Sequence, residues 1–314
     1  MGKERLSRQE FLKVGALFLA GFLTSCRGND IPPSPTVEPT ATHLRPTDTP
    51  SPTPEPTLAP TTTPEATVEA LSEIEAIPFN PEQQIPVLEQ HNPNFGVSGS
   101  DHGEYYMTPQ VYEEQLRIIQ EMDFYTPTEA EILGWLEGRH GLPARSVIIR
   151  IDLGMPYLDY EQGFSLLKKY GLRSIVFIRP TSIPETTSAT NLGWDIIKSY
   201  FDDGTLIPGS HGMNHPYYGQ ISQNDAVRDA VMAQEEISEI LGRPVNFFAF
   251  PFDEVAHEDA LLAHFRMLFG AYGRTARAGE PLVGTYYPYV RGEGYFNWES
   301  FRQDLLRNID EEGL

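Results

Sequence analysis

Three segments that can carry chemistry follow or end short apolar runs in this chain. VIIRIDLG at residues 147–154 contains Asp152, GSHGMNHP at residues 209–216 contains His211 and His215, and GRPVNFFAFPF at residues 242–252 ends in a proline turn. A β-branched run predicts a buried strand, and α/β proteins build their sites at the carboxyl ends of such strands. Two imidazoles at i and i+4 on a helical turn can face one metal ion if a third, oxygen ligand joins them. These residues therefore predict most of a catalytic metal site.

The order and spacing of the segments resemble the polysaccharide deacetylases of the NodB-homology class, in which TFDDG-type, HxxxH and FAYPYG-type motifs line one groove. The similarity runs from about Ile85 to Arg291 and includes LLKKYGLRSIVFI at residues 166–178. It implies the family's distorted (β/α)7 barrel and hydrolysis of N-acetyl or O-acetyl groups on a cell-envelope or extracellular polysaccharide. It also implies zinc or another divalent metal as cofactor, and a polysaccharide or amino-sugar polymer as partner.

The resemblance also assigns roles to individual residues. Asp152 matches the general base, and His211 and His215 match the metal ligands. His91 ends PVLEQH, where circularly permuted relatives carry PVLMYH with the histidine in the active site, so it is the candidate general acid. Pro251 and Phe252 match the turn whose backbone N–H helps to hold the oxyanion.

One departure from the family pattern affects the metal. The family motif has two aspartates, the second of which ligates the ion, whereas this chain has Asp152 followed by Leu153. Loss of even an outer partner costs about 10- to 100-fold in metal affinity or activity, so loss of a ligand should cost at least that. Three function classes stay open: an impaired metal-dependent deacetylase, a glycan-binding pseudoenzyme without turnover, and a structural envelope lipoprotein. If only the ligand is missing, Leu153→Asp should restore metal binding.

A second departure concerns charge inside the barrel. Side chains alternate along a strand, so Arg150 should share a face with Asp152, and Glu89 with His91. A buried arginine needs a carboxylate partner. Either Glu89 supplies the oxygen ligand lost at Leu153, or Arg150 takes the metal's electrostatic place by bridging Glu89 and Asp152. The alternative is that one or both side chains point to the surface at a strand end.

The sequence FDDG at residues 201–204 imitates the catalytic motif. Its context differs, because Leu192, Ile196, Ile197 and Phe201 recur at helical spacing. We therefore predict that the aspartates end a helix, with Gly204 near its C-cap.

The N-terminal residues predict an export signal. Basic residues precede the apolar stretch 14–23, which is too short to span a bilayer and typical of a signal-peptide core. Residues 23–26, LTSC, resemble a bacterial lipobox, whose cysteine is diacylated. Cys26 is the only cysteine, which excludes disulfides and thiolate metal sites elsewhere. We predict a lipoprotein signal at residues 1–26 and a lipid anchor on the extracytoplasmic side of the cell membrane; an ordinary cleaved signal is the alternative.

Composition separates a tether from a folded part. Residues 27–71 are rich in proline and threonine and poor in large apolar residues, which predicts a disordered tether. The net charge of −21 excludes the basic surface that nucleic-acid binding needs, and it favours a neutral or cationic partner.

Residues 72–314 are predicted to form one α/β domain. Helical patterns begin near Thr108, at the Thr128–Glu131 capping box and at Ser222. Strands alternating with helices imply parallel pairing in a sheet that closes or nearly closes. The predicted strands are residues 85–91, 147–152, 174–178, 206–209, 246–250, 267–272 and 283–290.

Overall fold

The computed structural model describes residues 76–90, 109–153, 159–270, 275–284 and 297–306. All of them belong to one compact unit within residues 66–314. The predicted signal with Cys26, the predicted tether and His91 lie outside the described residues.

The strands form one eight-stranded sheet in the order β7-β1-β2-β3-β4-β5-β6-β8. Neighbours are parallel except for the antiparallel pair β1 and β7, and β7 also contacts β8, so the sheet is nearly closed. This confirms the predicted barrel class. The strands are β1 (Gln84–Gln90), β2 (Ile148–Leu153), β3 (Ser174–Ile178), β4 (Leu206–Ser210), β5 (Phe247–Ala249), β6 (Met267–Gly270), β7 (Thr275–Arg277) and β8 (Leu282–Gly284).

Seven α-helices are described, and they are α1 (Pro109–Glu121), α2 (Glu129–Leu136), α3 (Asp159–Lys169), α4 (Trp194–Asp202), α5 (Gln223–Leu241), α6 (Glu258–Leu261) and α7 (Trp298–Leu306). Thr128 and Glu131 form both halves of the predicted capping box of α2. Ser222 caps α5, which ends at Gly242 with a left-handed φ of 67°. No helix in the described part of the chain is long and apolar enough to cross a membrane.

The two faces of the sheet bury different sets of side chains. On β2, Ile149 and Leu153 belong to the apolar cluster that the strands share with the helices, whereas Ile148 belongs to the cluster inside the barrel. Because side chains alternate along a strand, Arg150 and Asp152 lie on the inner face with Ile148. The strand therefore directs two charged groups into the barrel and the leucine away from it.

The FDDG imitation lies on a helix end, as predicted. Helix α4 ends at Asp202, Asp203 is its C-cap, and Gly204 follows with a φ of 78°. Asp203 accepts a hydrogen bond from Lys168 at the surface (2.7 Å). These aspartates are therefore not part of the inner face that carries Asp152.

Candidate active site

The predicted site segments meet at one edge of the barrel. Asp152 lies near the end of β2, His211 directly follows β4, and a 3₁₀ turn, Pro251–Asp253, follows β5. Parallel strands share the edge at which their carboxyl ends lie, so residues that are distant in the sequence come together there. His211 Nε2 is 3.8 Å from Asp152 Oδ2.

The two histidines form a close pair. His211 Nε2 and His215 Nε2 are 3.1 Å apart, and the Nδ1 atom of His211 contacts the carbonyl oxygen of Ala249 at 3.0 Å. The predicted helical turn is wrong, since the residues between them form a loop. The two rings are brought together by the positive φ angles of Gly212 (75°) and His215 (56°), and not by the spacing of a helix.

The loop that carries the two histidines is fixed by hydrogen bonds to Asp229 on α5. Asp229 accepts hydrogen bonds from the backbone N–H groups of Met213 and Asn214, from the Asn214 side chain and from the Tyr218 hydroxyl. Its side chain is buried, and its bonds to Met213 and Tyr218 are shielded from water. The sequence analysis missed this residue. Its signal is an acidic side chain on the buried stripe of α5 that otherwise consists of Ala226, Ala230, Ala233 and Ile237.

Both imidazoles are held in their neutral form. Burial lowers the pKa of His211. Burial, with smaller effects from His211 and the Arg179 guanidinium, lowers the pKa of His215 to about 4. Above that pH His215 presents a neutral imidazole that can accept or relay a proton.

Arg150 contacts three carboxylates inside the barrel. Its Nη2 atom lies 2.6 Å from Glu89 Oε1, 2.8 Å from Asp152 Oδ2 and 2.8 Å from Asp253 Oδ1. Arg150 and Glu89 are fully buried and are direct partners in the β1–β2 register. The guanidinium also lies over the Phe177 ring, at 5.8 Å from its centroid. Of the two predicted arrangements, the structure contains the one in which Arg150 bridges Glu89 and Asp152.

Asp253 is a member of this cluster that the sequence analysis missed. It stands where the FAYPYG-type motif ends in glycine, and it has a left-handed φ of 54°, next to Phe252 at 59°. Such a backbone is costly for residues other than glycine. A charged residue in a glycine position was the available signal, and the contact with Arg150 explains what the side chain does there.

The groups present do not fit the zinc that the resemblance implies. Among the described residues, no group of three His, Cys, Asp or Glu side chains is placed to hold a metal ion. Leu153 is fully buried in the helix-facing cluster. Asp152 Oδ2, which lies 3.8 Å from His211 Nε2, is also the atom bound to Arg150. Two imidazoles alone lack the oxygen ligand that such a site needs.

An aromatic pair lies beside the histidines. The rings of Tyr217 and Phe252 stack at 3.9 Å with an interplanar angle of 6°, and they are 46% and 51% exposed. The His215 ring packs edge-on against Phe252. Two further aromatic residues, Trp194 and Tyr218, are buried and are not part of this exposed pair.

Comparisons with known proteins agree with this architecture. Residues 140–264 match the family model described as polysaccharide deacetylase. The deacetylase PplD of Streptococcus pyogenes, solved in complex with acetate, superposes with a TM-score of 0.58 at 18% identity, over 72% of this chain and 98% of that one. IcaB of Ammonifex degensii superposes with a TM-score of 0.58 at 20% identity, over 70% of this chain and 97% of that one. A de-N-acetylase from Aggregatibacter actinomycetemcomitans superposes with a TM-score of 0.56 at 13% identity, over 70% of this chain and 100% of that one.

No curated protein sequence matches the chain. The segment that carries Asp152, both histidines and the Phe252 turn is nevertheless the segment that the family model matches. The barrel is thus of the fold found in these solved deacetylases, and its site-bearing part is similar to the polysaccharide deacetylases.

Proposed function

We propose that this chain hydrolyses acetyl groups on a polysaccharide. One observation carries the proposal: Asp152, His211 and His215 converge at one barrel edge, with 3.8 Å and 3.1 Å between neighbouring polar atoms. This edge belongs to the segment that matches the polysaccharide deacetylase family model. A carboxylate next to neutral imidazoles is a combination that can take a proton from water and return it to a leaving group.

The reaction is attributed to the chain's own groups. Asp152 takes a proton from a water molecule whose oxygen attacks the acetyl carbon. The backbone N–H of Phe252 donates to the oxygen that becomes negative, as oxyanion-hole donors do. When the bond to the sugar nitrogen or oxygen breaks, the leaving atom receives a proton, and acetate and a free amine or hydroxyl are released. His91 remains our proposed donor of that proton, and the proton that Asp152 took from water then replaces it on His91, so both groups regain their starting forms.

The stacked rings of Tyr217 and Phe252 offer a surface for the sugar. Both rings are about half exposed, and Phe252 packs against His215, so a pyranose ring packed on the pair would be close to the reacting groups. Flat apolar contact of this kind contributes binding without excluding water from the polar edge of the ring.

A second function is favoured by the Arg150 contacts. The guanidinium engages the same Asp152 oxygen that lies 3.8 Å from His211, so this oxygen already accepts a hydrogen bond where the reaction needs it to accept a proton. The chain could then bind the glycan through its aromatic pair without turnover. Release of acetate distinguishes the two functions, since a pure binding protein releases none.

The location is part of the proposal. We infer that Cys26 carries the lipid that holds the chain on the extracytoplasmic side of the cell membrane, with the glycan as partner and no nucleic acid. Its support is the lipobox-like LTSC sequence and the net charge of −21. Cys26→Ser should move the protein from the membrane fraction to the soluble fraction; unchanged membrane association would remove the anchor from the account.

The activity is tested by measuring acetate released from N-acetylated and O-acetylated polysaccharides by the purified full chain. Asp152→Asn should abolish release. Asp203→Asn is the matched control, since Asp203 belongs to the surface FDDG sequence and its side chain bonds to Lys168 and to the backbone of Thr205. Release that survives Asp152→Asn would reject the proposed role of this site.

A further inference from the structure

One oxygen of Asp152 would have to bind both Arg150 and any metal ion held by His211. Asp152 Oδ2 accepts a hydrogen bond from Arg150 at 2.8 Å and is the carboxylate oxygen recorded near His211 Nε2, at 3.8 Å. A metal ion bound by His211 and this oxygen would therefore lie next to a guanidinium. Two cations at that separation in a buried site repel each other strongly, because water does not screen them.

The other carboxylates at the site are engaged by the same cation. Arg150 Nη2 also contacts Glu89 and Asp253, and Arg150 is fully buried. A guanidinium is always charged and fits carboxylates better than an ammonium does. The arginine thus places one positive charge between three carboxylates, of which Glu89 and Asp152 are buried and Asp253 is partly exposed.

We propose that the Arg150 guanidinium is the permanent cation of this site and that the chain works without a bound divalent metal. This inference rests on the proposed function for the choice of site, but it concerns the binding of an ion, which is measured without an activity assay. It assigns Arg150 as a positioning residue: it holds Glu89, Asp152 and Asp253 in one cluster beside the histidine pair.

The inference makes a prediction of opposite sign for two substitutions of the same residue. Arg150→Met removes the charge and leaves carboxylates and imidazoles near one another, a donor set that suits zinc. This variant should gain zinc binding. Arg150→Lys retains a positive charge, so it should bind no more zinc than the wild type.

The test is isothermal titration of zinc into the full chain. We expect no stoichiometric binding by the wild type or Arg150→Lys, and a site of one equivalent in Arg150→Met with affinity at least about 10-fold higher. Adding His211→Ala to Arg150→Met should remove that gain. Arg228→Met, which removes an exposed arginine on α5, is the control and should behave as wild type.

One wild-type result overturns the inference by itself. If the wild type binds one zinc tightly and His211→Ala abolishes that binding, then Arg150 does not replace the metal. This outcome needs no Arg150 variant, so the test stands even if Arg150→Met fails to fold. The double variant Arg150→Met, Asp253→Asn leaves less uncompensated charge and should also gain zinc; if it folds without binding zinc, the inference is wrong.

Failure of the proposed function would look different. A wild type that binds no zinc and releases no acetate would reject deacetylation while leaving the assignment of Arg150 intact. A wild type that releases acetate only when zinc is bound would support deacetylation and reject the assignment.

Discussion

The two halves of the candidate site differ in how they are built. The histidine half is a loop after β4 that keeps the HxxxH spacing of the family motif. The loop is supported by hydrogen bonds that Asp229 accepts. The carboxylate half, on β1, β2 and the turn after β5, is rearranged around Arg150. A metal site needs both halves at once. The difference teaches that retained histidines do not by themselves imply a retained metal.

The largest effect should come from removing the cation of the carboxylate half. Arg150→Ala leaves Glu89, Asp152 and Asp253 without this buried partner, and breaking a buried pair in this way costs about 3–5 kcal/mol of unfolding free energy. Chemical denaturation measures it. Arg228→Ala, at an exposed ion pair, should change the unfolding free energy by no more than about 1 kcal/mol. Equal losses of unfolding free energy in the two variants would mean that the Arg150 cluster stabilises the fold no more than an exposed ion pair does.

The next effect concerns the aspartate that the family has and this chain lacks. The sequence predicts that Leu153→Asp restores metal binding only if this ligand alone is missing, and that it does little if Arg150 bridges Glu89 and Asp152. In the structure the Leu153 side chain is fully buried in the helix-facing apolar cluster, so an aspartate there would bury an unpaired carboxylate. We expect a loss of about 2–4 kcal/mol and no gain in zinc affinity. Leu153→Met is the matched control and should cost under about 1.5 kcal/mol. A Leu153→Asp variant that binds zinc would contradict the observed direction of this side chain.

The histidine half should be most sensitive at its support. Asp229→Ala leaves the buried donors of Met213 and Tyr218, and the more exposed donors of Asn214, without their acceptor, which costs about 1–3 kcal/mol. The loop that carries both imidazoles should loosen, and kcat for acetate release should fall by about 10-fold with a smaller change in KM. Asp225→Ala, an exposed neighbour on the same helix, is the control. A fall in stability without any change in kcat would make Asp229 purely structural.

The smallest effect on stability should come from the aromatic pair. Tyr217 is about half exposed, but Tyr217→Ala also removes its stack on Phe252, so the unfolding free energy should fall by about 0.5–1.5 kcal/mol. The substitution should still raise KM for the polysaccharide, by roughly 2- to 13-fold, because a stacking contact contributes about 0.5–1.5 kcal/mol. Steady-state kinetics with a polymer and with a single acetylated sugar measure the difference. An unchanged KM for both substrates would exclude the pair as a binding surface.

The fold was predictable because hydrophobic pattern and cap chemistry are local. The run before Asp152 identified β2, and Thr128 with Glu131 identified the start of α2. Strand β7, Thr275–Arg277, was missed because three residues carry no periodic pattern. Strand ends also shifted: β5 is shorter than predicted, and β6 and β8 are described only to Gly270 and Gly284.

The site was predictable only in part, because its geometry depends on partners far apart in the sequence. Asp152 and the two histidines could be found from motifs, and alternation placed Arg150 and Glu89 on the inner face. Asp253 is 103 residues from Arg150, so no local pattern connects them. The helical turn assumed for the histidines was wrong because Gly212 and His215 adopt positive φ, which residue spacing does not reveal.

The most direct test of the account is acetate release by the full chain before and after exhaustive treatment with a chelator. The central claim is that Asp152, beside a neutral histidine pair and fixed by Arg150, deacetylates a polysaccharide without a bound metal. We predict that release survives chelation, is not raised by added zinc and is lost in Asp152→Asn. Release that stops on chelation and returns with one equivalent of zinc would contradict the account.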